Sequence, residues 1–392
     1  MKNTQKQLNK NRYSERGNII PLKERAIAWP RMGNIDAALR MIAETIGMKV
    51  VRPPENSNKM LELGVKNSIE GICLPYKLNL ANYISALEAG ANTLIMFQAP
   101  GSCRFGNYTS MAERTLRKMG YKFDMIVFDM YQSKMLQTLE ALFYTAGCYN
   151  PFKYYKGFSG GFNKAFAVDA AEKLLFYYRP REINKGESEN CYKKWHRIID
   201  EAQSLKECRE LKKRIEEDFN KISIDEKKLV PKVFLSGEFF VLLDPYTNQN
   251  IEKTLGDLGI EVQRQIFFSD WLEHVLQPSI FYKKESHRER SVKYAKDYMK
   301  RPIGGECIET IGDAVYAARN GIDGIIHIMP FGCMPEIAAQ NILPKVSRQE
   351  NIPVLEIVLD EQTGKTGNIT RIEAFADLIK RRKMRKMNEI AQ

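Results

Sequence analysis

Histidine is scarce in this chain, with four in 392 residues. That leaves little material for a His-rich zinc or non-haem iron site. No C-x-x-C pair occurs anywhere, which removes ferredoxin-type and zinc-ribbon motifs. No apolar run approaches the roughly 18 residues of a membrane span. The opening stretch, MKNTQKQLNKNRYSERGN, is polar and basic with no apolar core, so it does not read as a signal peptide. The expected compartment is the cytoplasm, with no membrane partner. No zinc-finger, RRM or helix-turn-helix pattern accompanies the net charge of +12. Nucleic acid is therefore not an expected partner, and the basic run KRRKMRK at residues 380–386 reads as a solvated helix end.

Seven cysteines are present. An odd number without a secretory signal argues against a disulfide framework. Reduced thiols then serve either as inert core residues or as soft metal ligands.

The chain carries an internal repeat. Residues 73–103, CLPYKLNLANYISALEAGANTLIMFQAPGSC, match residues 307–333, CIETIGDAVYAARNGIDGIIHIMPFGC. Each segment opens on a Cys at the head of a helical pattern, reaches a Gly, runs into a short apolar strand and closes on a turn that delivers a second Cys. The offsets are 231 from Gly90 to Gly321, 230 from Cys103 to Cys333 and 231 from Asp129 to Asp360. Upstream, residues 27–54 and 234–264 both read as strand, loop, helix, Gly, strand. Strands alternating with helices imply a parallel sheet covered on both faces. The expected fold is α/β, with two pseudo-repeated, doubly wound (Rossmann- or flavodoxin-like) domains joined by a helical linker. The boundaries are a basic flexible arm at 1–23, an N-terminal α/β domain at 24–150 with Cys73 and Cys103, a helical linker region at 151–230, and a C-terminal α/β domain at 231–392 with Cys307 and Cys333. An insertion near residues 270–300 interrupts the last.

In open parallel sheets ligands bind beyond the carboxyl ends of the strands. Cys103 and Cys333 follow strands directly. Cys73 and Cys307 head helices, where the dipole and free N–H groups are expected to lower a thiol pKa. Spacing alone leaves three readings open: an iron–sulfur cluster, buried structural cysteines, or a zinc or catalytic thiol.

Six segments give the chain a family likeness: WPRMGN (29–34), GICLPYKLNLANYI (71–84), GSCRFGNY (101–108), GEFFVLLDPYTN (237–248), MPFGCMPE (329–336) and LDEQTGKTGNITRIEAF (359–375). Through them the chain resembles 2-hydroxyacyl-CoA dehydratase subunits and their activase-associated and double-cubane relatives, over nearly its whole length beyond the arm. The resemblance implies a 4Fe–4S cluster on Cys73, Cys103 and Cys333, with one iron left open for Lewis-acid or low-potential radical chemistry. It implies an ATP-dependent iron–sulfur activator as electron donor, oxygen sensitivity, and a dimer of like or related subunits. The alternative within the family is a double-cubane 8Fe–9S cluster, for which Cys307 and Cys148 are second-tier ligands. Cys191 and Cys208 lie 17 residues apart in a charged stretch and form no local site. The alternative of another class is a metal-free, two-lobed small-molecule binder that closes on a hinge. No catalytic residue and no substrate is specified.

TGKTG at residues 363–367 lacks the first glycine of a P-loop, because Leu359 stands in its place. Arg104 and Lys77 are candidates to balance cluster charge, and Glu336 to orient the cysteine loop. His327 reads as a core histidine, and Met329 and Met334 as packing residues. Tyr108 matches a recurring family position.

Overall fold

The computed structural model describes residues 20–98, 103–129, 142–143, 145–269 and 287–391. The expected basic arm lies outside the described residues up to residue 19, as does the insertion over residues 270–286.

The chain is α/β with two four-stranded, all-parallel sheets. The first contains β1 (Ala26–Ala28), β2 (Lys49–Val50), β3 (Thr93–Gln98) and β4 (Asp124–Asp129), in the order β2-β1-β3-β4. The second contains β5 (Lys232–Gly237), β6 (Glu261–Arg264), β7 (Gly324–Pro330) and β8 (Val354–Leu359), in the order β6-β5-β7-β8. Position for position, the two orders are the same. Register runs from Thr93 opposite Asp124 to Gln98 opposite Asp129, and from Ile325 opposite Val354 to Pro330 opposite Leu359.

Both faces of each sheet are covered, and the two-residue period of a strand shows how. In β7, Ile326 and Ile328 enter one core while Ile325 enters another. In β3, Leu94 and Met96 face one way and Ile95 the other. This is why these strands read as unbroken apolar runs rather than alternating ones.

Helices α1 (Asp36–Ile46), α2 (Asn58–Asn67), α3 (Leu74–Glu88) and α4 (Phe105–Lys118) accompany the first sheet. Three helices lie between the sheets in sequence: α5 (Pro151–Tyr178), α6 (Glu187–Glu201) and α7 (Leu205–Phe219). The second sheet has α8 (Phe239–Leu243), α9 (Ile251–Asp257), α10 (His287–Ala295), α11 (Cys307–Arg319), α12 (Met334–Gln349) and α13 (Lys365–Ala391). Among the described residues, no helix is long and apolar enough to cross a membrane.

Helix α3 joins the two halves. Leu74, Leu78 and Ala81, at helical spacing, enter the core built on β5, β7 and β8. Tyr76, Leu80, Tyr83 and Ile84 enter the core on the first sheet. The helix is therefore buried nearly all round, and its polar residues are buried with it. Lys77 pairs with Glu361 of the second half, and Asn82 accepts from the Arg31 N–H at 2.7 Å. Burying a side chain such as Leu78 contributes on the order of 2 kcal/mol. The two halves thus share one core across α3.

A second connection is ionic. Glu172 of α5 pairs with Arg264 at the end of β6 and accepts from Asn34 Nδ2 at 2.6 Å. Gly33 N donates to Asp244 Oδ2 at 3.3 Å, and a Cβ on Gly33 would stand 1.9 Å from Leu243 O. The WPRMGN and GEFFVLLDPYTN segments thus meet each other between the halves.

Candidate metal centre

Cys73 is the N-cap of α3, Cys333 is the N-cap of α12, and Cys103 lies one residue before the N-cap of α4. The first N–H groups of these helices turn toward the sulfurs. Tyr76, Phe105 and Glu336 N–H favour the thiolates of Cys73, Cys103 and Cys333 respectively. Neither N-cap sulfur closes a cap hydrogen bond.

The loops that carry the three cysteines touch. A Cβ on Gly332 would lie 3.7 Å from Gly71 O and 3.8 Å from Arg104 Nη1. A Cβ on Gly305 would lie 2.5 Å from Pro335 Cγ and 3.8 Å from Cys103 Cβ. Arg104 Nη1 also donates to Gly71 O at 2.6 Å, tying the Cys103 turn to the residues before Cys73. The structure therefore gathers the Cys73, Cys103 and Cys333 loops at the carboxyl ends of β3 and β7. Beside them opens a cavity of about 180 Å³, lined in part by Ile72, Leu74, Phe331, Asp360 and Glu361.

The electrostatics of this place differ from the expectation. Cys73 and Cys307 head helices and are expected to be lowered, but burial shifts both upward, Cys307 to about 12, and the Cys103 and Cys333 thiols are shifted upward as well. Burial is the largest cause in all four, with neighbouring carboxylates adding to it. Cys103 is pushed up to about 12 by burial and Glu306; Cys333 is pushed up by burial, Glu238 and Glu336. Cys73 is raised by burial as well, although the Tyr108 hydroxyl sits 2.6 Å from its sulfur and favours the thiolate. Tyr108 is itself buried, its ring edge-on to Tyr76 and Phe105.

Two carboxylates of this cluster were not among the residues singled out from the sequence. Glu238 directly follows β5 and caps α8, with Oε2 accepting from Val241 N at 2.9 Å. Burial pushes it up to about 7. Glu306 precedes α11 and is raised by burial and then by Glu238. The available signals were local: a Glu immediately after a strand-ending Gly, and a Glu immediately before Cys307. Glu336 is fully buried; Oε2 takes His327 Nε2 at 2.8 Å and Thr310 Oγ1 at 3.1 Å, while Oε1 and His327 Nδ1 have no partner. His327 is thus a core histidine satisfied on one side only.

The second-tier cysteines lie elsewhere. Cys307 begins α11 but is buried in that helix's own core, with its sulfur 3.8 Å from Met299 Sδ. Helix α10 packs on α11, so the sequence equivalence of Cys307 and Cys73 does not extend to their surroundings. Cys148 packs against the cluster of Ile42, Ile46 and Tyr154. Cys208 and Cys191 pack with Trp195 and Leu211 among the three middle helices. Lys77 is committed to Glu361, and Met334 is exposed. All seven cysteines are free thiols.

Among the described residues, no three His, Cys, Asp or Glu side chains are gathered tightly enough to hold one metal ion. A cubane is a different demand, because its protein ligands sit on separate irons and so stand farther apart. No protein-family model matches this chain, and no curated protein matches it.

Proposed function

We propose that this chain is an oxygen-sensitive iron–sulfur protein of the 2-hydroxyacyl-CoA dehydratase type, with Cys73, Cys103 and Cys333 holding one 4Fe–4S cluster. The observation that carries the reading is the meeting of three thiol-bearing loops, 30 and 230 residues apart in sequence, beyond the carboxyl ends of two parallel sheets.

The donor set fits the group. Thiolates are the ligands that iron–sulfur clusters take, and helix starts behind each sulfur offset the charge of a thiolate-bound cluster. When bound, the cluster supplies a low-potential electron and an iron not held by cysteine. The chain's own residues do the rest. Tyr108 orients Cys73 and donates toward its sulfur. Arg104 ties two of the loops together and favours the Cys73 thiolate. The buried wall of Ile72, Leu74 and Tyr108 keeps bulk water from the sulfurs. Burial raises the Glu238 and Glu306 carboxyls, which limits the negative charge they add to this place.

The positions of Cys307 and Cys148 favour a single cubane over a double one. The core shared across α3 disfavours the hinge-closing binder, because opening the halves would expose Leu74 and Leu78. In this reading the two sheets are copies of one duplicated unit, and residues 151–230 are the linker that packs them together. The chain works in the cytoplasm as a dimer and receives electrons from an ATP-dependent iron–sulfur activator.

Anaerobic purification with iron and sulfide analysis tests the proposal. About four irons and four acid-labile sulfides per chain are expected, lost together in Cys103→Ser or Cys333→Ser and retained in Cys148→Ser. Colourless wild-type protein that takes up no iron overturns it.

A further inference from the structure

The start of α5 presents three exposed aromatic rings. Tyr149, Phe152 and Tyr155 are 80%, 71% and 58% exposed. Their direction follows from what the other face of the helix buries. A Cβ on Gly157 would lie 3.2 Å from Ile42 O, and Tyr154 joins the cluster of Ile42 and Ile46. Tyr154 also braces the loop before the helix, donating to Cys148 O at 2.9 Å, and Tyr149 stacks on Phe143 with centroids 5.9 Å apart. Leu22, 49% exposed, belongs to the same patch, because a Cβ on Gly147 would lie 3.1 Å from Leu22 Cδ1. Single exposed apolar residues are ordinary, whereas four gathered on a braced loop and helix start mark an interaction surface.

The charge of this place says what it meets. No Asp or Glu occurs from residue 141 to residue 168, while Lys153 is exposed and Arg209 donates to the Tyr155 hydroxyl at 3.2 Å. The described chain enters at Ile20, beside Leu22, and the sequence ahead of it carries Lys2, Lys6, Lys10, Arg12 and Arg16 against Glu15. The occupant is therefore anionic. A second copy of this chain brings the same cations and a net charge of +12, which opposes that pairing. Protein interfaces in general are also poor in Lys. Single-stranded nucleic acid stacks on open ring faces, but Phe143 takes one face of Tyr149 and Leu22 offers no ring. Aliphatic and aromatic side chains flanked by Lys and Arg match the boundary between lipid headgroups and acyl chains.

We propose that Leu22, Tyr149, Phe152 and Tyr155 form a wedge that seats in an anionic lipid surface, with Lys153, Arg209 and the basic residues ahead of Ile20 paired to the headgroups. This departs from the sequence expectation of no membrane partner, because apolar runs along a chain reveal spans and not peripheral seating. The binding is reversible: a small apolar wedge and a polybasic stretch are two modest signals that hold only together. It stands independently of the cluster.

The test sediments the anaerobically purified full chain with vesicles of phosphatidylcholine and phosphatidylserine in equal parts, and with phosphatidylcholine alone. Binding to the mixed vesicles is expected to weaken as salt rises, and to be about tenfold weaker on phosphatidylcholine alone. Tyr149→Ser, Phe152→Ser and Tyr155→Ser together keep every charge and touch only exposed rings. That variant is expected to melt like the wild type and to bind the mixed vesicles about tenfold more weakly. Lys2→Gln, Lys6→Gln, Lys10→Gln, Arg12→Gln and Arg16→Gln together are expected to weaken binding and flatten its salt dependence. Wild type that ignores the mixed vesicles, or either variant binding them like the wild type, overturns the proposal. So does binding to oligothymidine in place of vesicles, lost in the triple serine variant, which would assign the surface to nucleic acid.

Discussion

Phenylalanine at position 108 would keep the ring between Tyr76 and Phe105 and remove only the hydroxyl on the Cys73 sulfur. That hydroxyl favours the thiolate, so Tyr108→Phe should move Cys73 further from ionisation. In metal-free protein, alkylation of Cys73 followed by mass spectrometry should show its pH midpoint rise. A midpoint that falls would contradict the geometry. Asp169 offers a separate pH test, away from the cysteines. It is buried, accepts from Ser269 N at 2.7 Å through Oδ2, and leaves Oδ1 without a partner. Burial and then Glu172 push it from the ordinary 3.8 up to about 6. The folded chain therefore holds this proton where the unfolded chain has lost it. Stability falls as pH rises from about 4 to about 6 and stays lower above that window. Asp169→Asn removes the penalty and should raise stability at pH 7.5 by roughly 2 kcal/mol, with little gain at pH 4. Thermal melts at the two pH values read the difference.

At the scale of elements, α3 is the most consequential helix, because one face serves each half. Leu78→Ala should cost about 2–5 kcal/mol and lower the single melting transition rather than split it. The turn at Gly33 is as constrained: φ is +51° and Leu243 O occupies the Cβ position. Gly33→Ala should therefore disturb the contact between the halves, seen as faster proteolysis between them. Much at this scale was legible. Residues 93–98 and 324–330 form the strands expected of the short apolar runs after Gly90 and Gly321, and Cys73 and Cys307 do head helices. The all-round burial of α3 was not legible. Lys77, Asn79 and Asn82 resemble a solvent face in sequence; it takes Glu361, distant in the second half, to pair Lys77, and the Arg31 N–H of the first half to donate to Asn82. The upward shift of the thiols was hidden for the same reason. Its carboxylates, Glu238 and Glu306, lie more than 130 residues from Cys73 and Cys103.

Over the whole molecule, Arg264 connects the second sheet to the middle helices and, through Glu172, to Asn34 of the first half. It is buried, and it also faces Glu252 at 3.6 Å. Arg264→Met would leave buried carboxylates without a cation, at a cost of about 3–5 kcal/mol. The melting temperature should drop accordingly, and Glu172→Gln in the same chain should recover part of the loss. The repeated strand order and the shared core give the same picture from two directions. The halves are fixed relative to each other, so the cysteine loops are brought together by the fold and not by a ligand.

The central claim is that Cys73, Cys103 and Cys333 hold one cluster. Electron paramagnetic resonance of anaerobically purified, dithionite-reduced protein tests it most directly. The account predicts a reduced-cluster signal that disappears when any one of these three cysteines becomes serine and persists when Cys148 or Cys307 does. A signal indifferent to those three substitutions, or its absence from wild-type protein, would contradict the account.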